Sequence, residues 1–180
     1  ALITEKFKEK KIDIIPYLKI VELNGTINLS PFKIEFITLT HSILEPNGLR
    51  IETPVGNILH TGDWKCDPNP LIGDKINGKR LKEIGDKGVL TMICDSTNVF
   101  SIGRAGSELD VRKSLINIMS RLKKRIIVTS FASNVARMES IFYCAEKLGR
   151  QISLVGRSMH RIYKAARECG YLKDVIEPID

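Results

Sequence analysis

The stretch KIEFITLTHSILEPNGLRIETPVGNILHTGD, residues 33–63, decides how the fold is read. It holds three short runs of strand length, residues 33–39, 48–53 and 57–60. The last two flank Pro54-Val55-Gly56, a turn signal that makes them a hairpin. Two of the runs open directly onto polar residues: residues 33–39 onto Thr40-His41-Ser42, and residues 57–60 onto Thr61-Gly62-Asp63. A third case lies downstream. Residues 89–94 form a continuous apolar run bounded by Gly88 and Asp95, and lead into Asp95-Ser96-Thr97-Asn98. Strand ends are where open α/β and layered folds place their sites.

Working outward, residues 1–9 read as the end of a helix and residues 14–21 as a strand. A loop rich in Pro, Gly and Asn covers residues 67–78 and ends in a short helix near residues 81–85. The style changes near residues 100–107, where we place a domain boundary. Ser107-Glu108-Leu109-Asp110 can cap a helix running to about Lys123. Residues 125–129 then read as a buried strand and residues 135–148 as a helix ended by Gly149. Residues 151–155 read as a strand, and Ser158 starts a helix to Glu168, closed by Gly170; residues 175–179 are again strand-like. Alternating strands and helices argue for a parallel α/β sheet.

With 43% hydrophobic and 27% charged residues, the 180-residue chain is expected to pack a core rather than remain disordered. No apolar run is long enough to span a bilayer, and no signal peptide is visible. The chain opens on a helical pattern without an initiator Met and stops soon after a strand-like run, so both ends read as cut from something longer. The four cysteines, Cys66, Cys94, Cys144 and Cys169, are widely separated with no CxxC spacing. Cys94 and Cys144 sit in apolar or amphipathic runs and are expected as buried free thiols in a reducing cytoplasm. Zinc held by cysteine alone does not fit this spacing. A net charge of +7, with bases clustered at residues 6–11, 79–82, 121–125 and 157–167, suits a polyanionic partner such as nucleic acid. Each cluster taken singly also reads as a solvated helix face.

Taken one at a time, the polar segments carry little. A lone His beside a strand is commonly structural, Asp after Gly is common in turns, and Asp-Ser-Thr-Asn makes turns and helix caps. In combination they are specific. An apolar strand ending in His41 is followed by the Gly48 to Gly56 hairpin (G-L-x-I-x-T-P-x-G). Then come His60-Thr61-Gly62-Asp63-Trp64-Lys65 and Asp95-Ser96-Thr97-Asn98. The order resembles ribonuclease J, of the β-CASP branch of the metallo-β-lactamase fold. The resemblance continues through Ser130-Phe131-Ala132-Ser133-Asn134 and Gly156-Arg157-Ser158-Met159, and covers essentially the whole chain.

The resemblance implies an α/β fold in two incomplete parts. Residues 1–100 would be the latter portion of a metallo-β-lactamase αββα sandwich, and residues 101–180 the first portion of an α/β β-CASP domain. It implies hydrolysis of RNA phosphodiester bonds, as a 5′ exonuclease, an endonuclease or both. His41 then matches a metal-binding His, Asp63 an Asp that bridges two metal ions, and Asp95 an acidic residue that supports the catalytic site. The implied cofactor is zinc, two ions in the complete site, with manganese as the alternative. Imidazole and carboxylate suit either metal, and two metals can share a hydroxide that attacks phosphorus in line.

Two departures matter. Ser42-Ile43-Leu44-Glu45-Pro46 stands where the family has Ser-Ile-Pro-Asp, and the family's H-x-H-x-D-H cluster is nowhere in the chain. With His60 read as structural, the expectation is an inactive piece of a cytoplasmic enzyme. The missing portion of the parent or a second polypeptide would complete the site; a homo-oligomer is a further partner, and a membrane is not. For RNA binding the candidates are Ser133, Asn134, Arg157 and Ser158. Gly156-Arg157-Ser158 joins a strand to a helix start, where free N–H groups favour a phosphate. The plainer alternative makes Ser158 an N-cap and Arg157 a solvated side chain. Phe131 and Tyr163 either stack on bases or pack in the core. Two rival functions stand beside the nuclease. One is another metallo-β-lactamase-fold hydrolase acting on a small ester or thioester; the other is a non-catalytic RNA-binding or assembly fragment.

Overall fold

The computed structural model describes residues 1–179. It is of mixed α/β class and divides into two compact units, one of Ile20–Ser107 and one of Ala1–Lys19 with the residues from Glu108 onward.

The unit Ile20–Ser107 is built on one five-stranded sheet in chain order: β1 (Thr26–Leu29), β2 (Phe32–Thr38), β3 (Asn47–Thr53), β4 (Gly56–His60) and β5 (Thr91–Ile93). Neighbours from β1 to β4 are antiparallel, and β5 joins β4 in parallel. The hairpin turn is closed by the Thr53 hydroxyl, which donates to the Gly56 carbonyl at 2.8 Å and accepts the Val55 N–H at 3.2 Å. Gly56 is needed there: its φ is +149°, and a Cβ would come within 3.1 Å of Leu90.

Register sorts the two faces of the sheet. Ile34, Ile51 and Ile58 lie side by side on one face; Glu35, Arg50 and Leu59 lie side by side on the other. The second face is covered by helix α2 (Gly78–Asp86), whose N-cap Asn77 accepts the Arg80 N–H at 3.0 Å. Ile37, Leu39 and Ile84 form its buried core, with Leu59, Trp64, Ile76, Leu81 and Val89 packed around them. Glu35 clips the helix to the sheet. It accepts from Arg80 at 2.6 and 2.7 Å and from Arg50 at 3.4 Å. These contacts hold its carboxyl below the usual carboxylate range, the Arg80 hydrogen bonds foremost.

The second unit is helical: α1 (Leu2–Glu9), a 3₁₀ turn at Ile15–Tyr17, α3 (Glu108–Ser120), α4 (Val135–Lys147) and α5 (Arg157–Glu168). Phe142 and Cys144 of α4 are fully buried, and Tyr163 of α5 stacks on Phe142 with ring centroids 5.6 Å apart. Burial pushes the Cys144 thiol up, as expected of an inert core cysteine. Arg137 reaches Glu108 at 2.5 Å, and Arg112 pairs with Glu139 while lying over the Tyr143 ring. Helices α1 and α5 are joined by Arg161–Glu9 at 2.6 Å and Lys164–Glu5 at 3.4 Å. No helix of the described residues is long and apolar enough to cross a membrane.

Several local expectations need correction. Residues 14–21 form no strand. Pro16 sits inside the 3₁₀ turn and lacks the N–H a ladder needs, and Ile15, Tyr17 and Ile20 are largely exposed. Strand β1 went unforeseen because its Thr-Ile-Asn-Leu run, though alternating, is only four residues long. Residues 125–129 are neither a strand nor buried, since Ile127 is 88% exposed. Residues 151–155 contribute only a parallel bridge from Ser153 to Ile179. An apolar run becomes a strand only where another backbone takes up its hydrogen bonds, and the described residues supply almost none there. Residues 89–94 do yield β5, but Leu90, Met92 and Ile93 are exposed on this edge strand, and Cys94 is exposed rather than buried.

Candidate functional site

Strand direction brings the sequence-predicted residues together. Because β2 and β4 are both antiparallel to β3, they run the same way, and β5 runs with β4. All three therefore end at one edge of the sheet. His41 follows just beyond Thr38 of β2, Asp63 just beyond His60 of β4, and Asp95 just beyond Ile93 of β5.

The turn carrying Asp63 is shaped by its neighbours. Gly62 sits at φ +60°, which favours glycine, and its N–H is accepted by His60 Nδ1 at 3.0 Å. His60 thus supports this turn through Nδ1. The Asp63 side chain is left exposed. Asp95 Oδ1 accepts the Thr97 hydroxyl at 2.5 Å and the Thr97 N–H at 2.9 Å. These bonds hold its carboxyl below the usual range, the Thr97 hydroxyl foremost, aided by the nearby charge of His41 and the Trp64 N–H. Asp95 is therefore an anion at neutral pH and lies within electrostatic reach of His41. His41 Nδ1 lies 3.4 Å from the Ser42 hydroxyl.

Two residues that the sequence reading did not assign stand behind this edge. Thr40 and Thr61 are buried, and their hydroxyls bond across from one loop to the next. The signal available in sequence was only that Thr precedes both His41 and Gly62-Asp63.

Oxygen and imidazole donors of this kind suit zinc or manganese. Their number does not. Zinc sites take three or four protein ligands. Among the described residues, no group of three or more His, Cys, Asp or Glu side chains lies close enough to hold an ion. His41, Asp63 and Asp95 by themselves do not fit a two-metal centre.

The four candidate RNA-binding residues lie at two helix starts in the other unit. Asn134 is the N-cap of α4, accepting the Arg137 N–H at 2.8 Å, and Ser133 beside it is exposed. Gly156, at φ +105°, is the N-cap of α5. Ser158 therefore lies inside the first turn rather than capping it, and Arg157 is exposed. Phe131 on one side, with Val155 and Met159 on the other, border a single groove of about 730 Å³. Phe131 is 83% exposed and so is not core, whereas Tyr163 packs on Phe142 and hydrogen-bonds Glu177 at 2.9 Å. Most bases of α5 are engaged: Arg161 and Lys164 with α1, and Arg167 with Glu177 at 2.6 Å.

Comparison with known proteins shows what the chain resembles. Residues 123–178 match the family model of the ribonuclease J β-CASP domain. Ribonuclease J of Sinorhizobium meliloti is 40% identical over 167 residues, 93% of this chain and 29% of that protein. The homonymous protein of Corynebacterium glutamicum is 41% identical over 175 residues, 96% of this chain and 24% of its own length. The chain is similar to part of ribonuclease J. It matches the Thermus thermophilus ribonuclease J at 40% identity over 142 residues, covering 79% of this chain and 25% of that protein. This chain thus spans about a quarter of the length of these ribonuclease J relatives. A solved protein of unknown function from Enterococcus faecalis V583 shares the fold, with a TM-score of 0.60 at 16% identity. That likeness covers 91% of this chain and 41% of the other.

Proposed function

We propose that this chain is part of a metal-dependent ribonuclease that hydrolyses RNA phosphodiester bonds, from the 5′ end, internally or both. The observation that carries the proposal is the convergence of His41, Asp63 and Asp95 at one sheet edge, in a chain similar to part of ribonuclease J. In this reading His41 and Asp63 are metal ligands and Asp95 is the supporting acid. Zinc is the metal, with manganese as the substitute, and the remaining ligands come from outside this chain. Residues 1–100 belong to a metallo-β-lactamase domain and residues 101–180 to a β-CASP domain. Ser133, Asn134, Arg157 and Ser158 contact RNA, supported by their position at two helix starts beside one groove. We place the protein in the cytoplasm, on the support of its four free cysteines.

The test has two arms. The isolated chain, given 5′-monophosphorylated RNA with excess zinc or manganese, is expected to show no cleavage. A longer polypeptide that includes this sequence and an H-x-H-x-D-H segment is expected to cleave RNA, and to lose that activity with His41→Ala or Asp63→Ala. Chelator-sensitive turnover by the isolated chain, abolished by Asp63→Ala, would overturn the incomplete site. Cleavage by the longer polypeptide that ignores both substitutions would overturn the ligand assignment.

A further inference from the structure

We propose that Thr40 and Thr61 are positioning residues whose hydroxyls lock the loops of His41, Asp63 and Asp95 to one another before any metal or substrate binds. The inference rests on the ribonuclease reading above for its purpose, but not for its geometry.

A threonine hydroxyl has one proton to donate and lone pairs to accept with, and both threonines use the two capacities at once. Thr40 Oγ1 donates to the Lys65 carbonyl and accepts the Asp67 N–H at 3.1 Å. It therefore ties the strand end that carries His41 to the segment following Asp63. Thr61 Oγ1 donates to the Gly62 carbonyl at 2.8 Å and accepts the Asp95 N–H at 3.1 Å. It ties the residue before Asp63 to the backbone of Asp95 itself. Two backbone bonds run alongside, Lys65 N–H to the Thr40 carbonyl and Thr61 N–H to the Ile93 carbonyl, each 2.9 Å. The three loops thus form one hydrogen-bonded series: His41 loop to Asp63 loop to Asp95 loop.

Burial gives these bonds their weight. Thr40 is 2% and Thr61 5% exposed, so little water can replace the hydroxyl if it is lost. The Asp67 and Asp95 N–H groups would then lose the hydroxyl acceptor they have here, which costs more than the bond itself contributes. Carboxylates and an imidazole gathered at one edge have no apolar packing of their own to hold them in place. A pair of hydroxyls buried directly beneath them supplies that order.

The bland alternative is that both threonines merely fill space with a β-branched side chain. Two substitutions separate the readings. Thr→Val keeps the shape and removes the hydroxyl, and Thr→Ser keeps the hydroxyl and removes a methyl. Amide hydrogen exchange by NMR on the whole chain, without metal or RNA, reads the outcome residue by residue. Thr61→Val is expected to speed exchange at the Asp95 amide by about tenfold or more, and Thr40→Val to do the same at Asp67. The corresponding Ser variants are expected to stay close to wild type, with the Ile51 amide in mid-sheet as the control for global opening. Val tolerated as well as or better than Ser would overturn the clamp. Should the Val variants not fold, wild type still decides: Asp67 and Asp95 amides that exchange as fast as the exposed Ser96 amide would refute it. Because the readout contains neither metal nor RNA, its failure leaves the ribonuclease reading standing, and failure of the cleavage assay leaves the clamp standing.

Discussion

Replacing Glu35 by Gln removes the charge that fastens α2 to the sheet while leaving the side chain's shape. In wild type, Arg80 grips both carboxylate oxygens, at 2.6 and 2.7 Å, with Arg50 adding a contact at 3.4 Å. Gln offers one carbonyl oxygen to a fork that needs two acceptors, so an Arg80 N–H loses its partner. Charge-assisted bonds are worth roughly 1.5–3 kcal/mol against about 1 for neutral ones. The Glu35 side chain is only 14% exposed, but Arg80 is 30% exposed, and solvent screening there trims the difference. A loss of about 1.5 kcal/mol follows. In a domain of this size that lowers the melting temperature by roughly 6–12 °C. The pH dependence gives a second check. The folded-state pKa of Glu35 is depressed, so its contribution is fully present above the unfolded carboxylate range, near pH 4.5, and disappears as pH falls through the lower folded value. Thermal or urea unfolding followed by circular dichroism should therefore separate wild type from Glu35→Gln at pH 7, by a margin that shrinks as the pH falls below the unfolded carboxylate range. A difference below about 0.5 kcal/mol at pH 7, within the range of an ordinary surface substitution, would refute the clip. A gap that does not shrink at all as the pH is lowered would do the same.

Two further outcomes are expected. Gly62→Ala forces an L residue to φ +60° in a spot where the nearest atom to the new Cβ, the Asn47 carbonyl oxygen, is 3.5 Å away. Strain rather than collision should therefore cost about 1 kcal/mol in urea unfolding, and an unchanged midpoint would mean that the turn relaxes out of that conformation. Single-stranded RNA should bind weakly, with log affinity falling linearly against log salt in fluorescence anisotropy, at roughly one unit of slope per phosphate neutralised. Arg157→Ala should weaken binding more than Arg161→Ala, because Arg161 is already paired with Glu9 at 2.6 Å while Arg157 is exposed; equal or absent effects would mean that Arg157 does not touch RNA.

Strictly local patterns were the ones legible beforehand. The Pro54-Val55-Gly56 turn fixed the hairpin, Gly149 marked the end of α4, and local patterns located α3, α4 and α5 to within a few residues. Each depends on interactions between residues close in the chain, so composition over a short window carries them. The three polar segments after strands 33–39, 57–60 and 89–94 were likewise visible, because strand ends can be read from where an apolar run stops.

What no window of sequence contained was how the strands align. His41, Asp63 and Asp95 share an edge only because β2 and β4 both oppose β3 and β5 joins β4 in parallel, and strand direction is set by pairing between distant residues. The hydroxyl bonds of Thr40 and Thr61 reach 27 and 34 residues along the chain, and so look like ordinary strand threonines until the loops meet. Residues 125–129 and 151–155 make the same point from the other side. Their apolar runs have strand character, yet a strand exists only where a neighbouring backbone takes its N–H and C=O groups, and whether that neighbour is present is decided by tertiary structure alone.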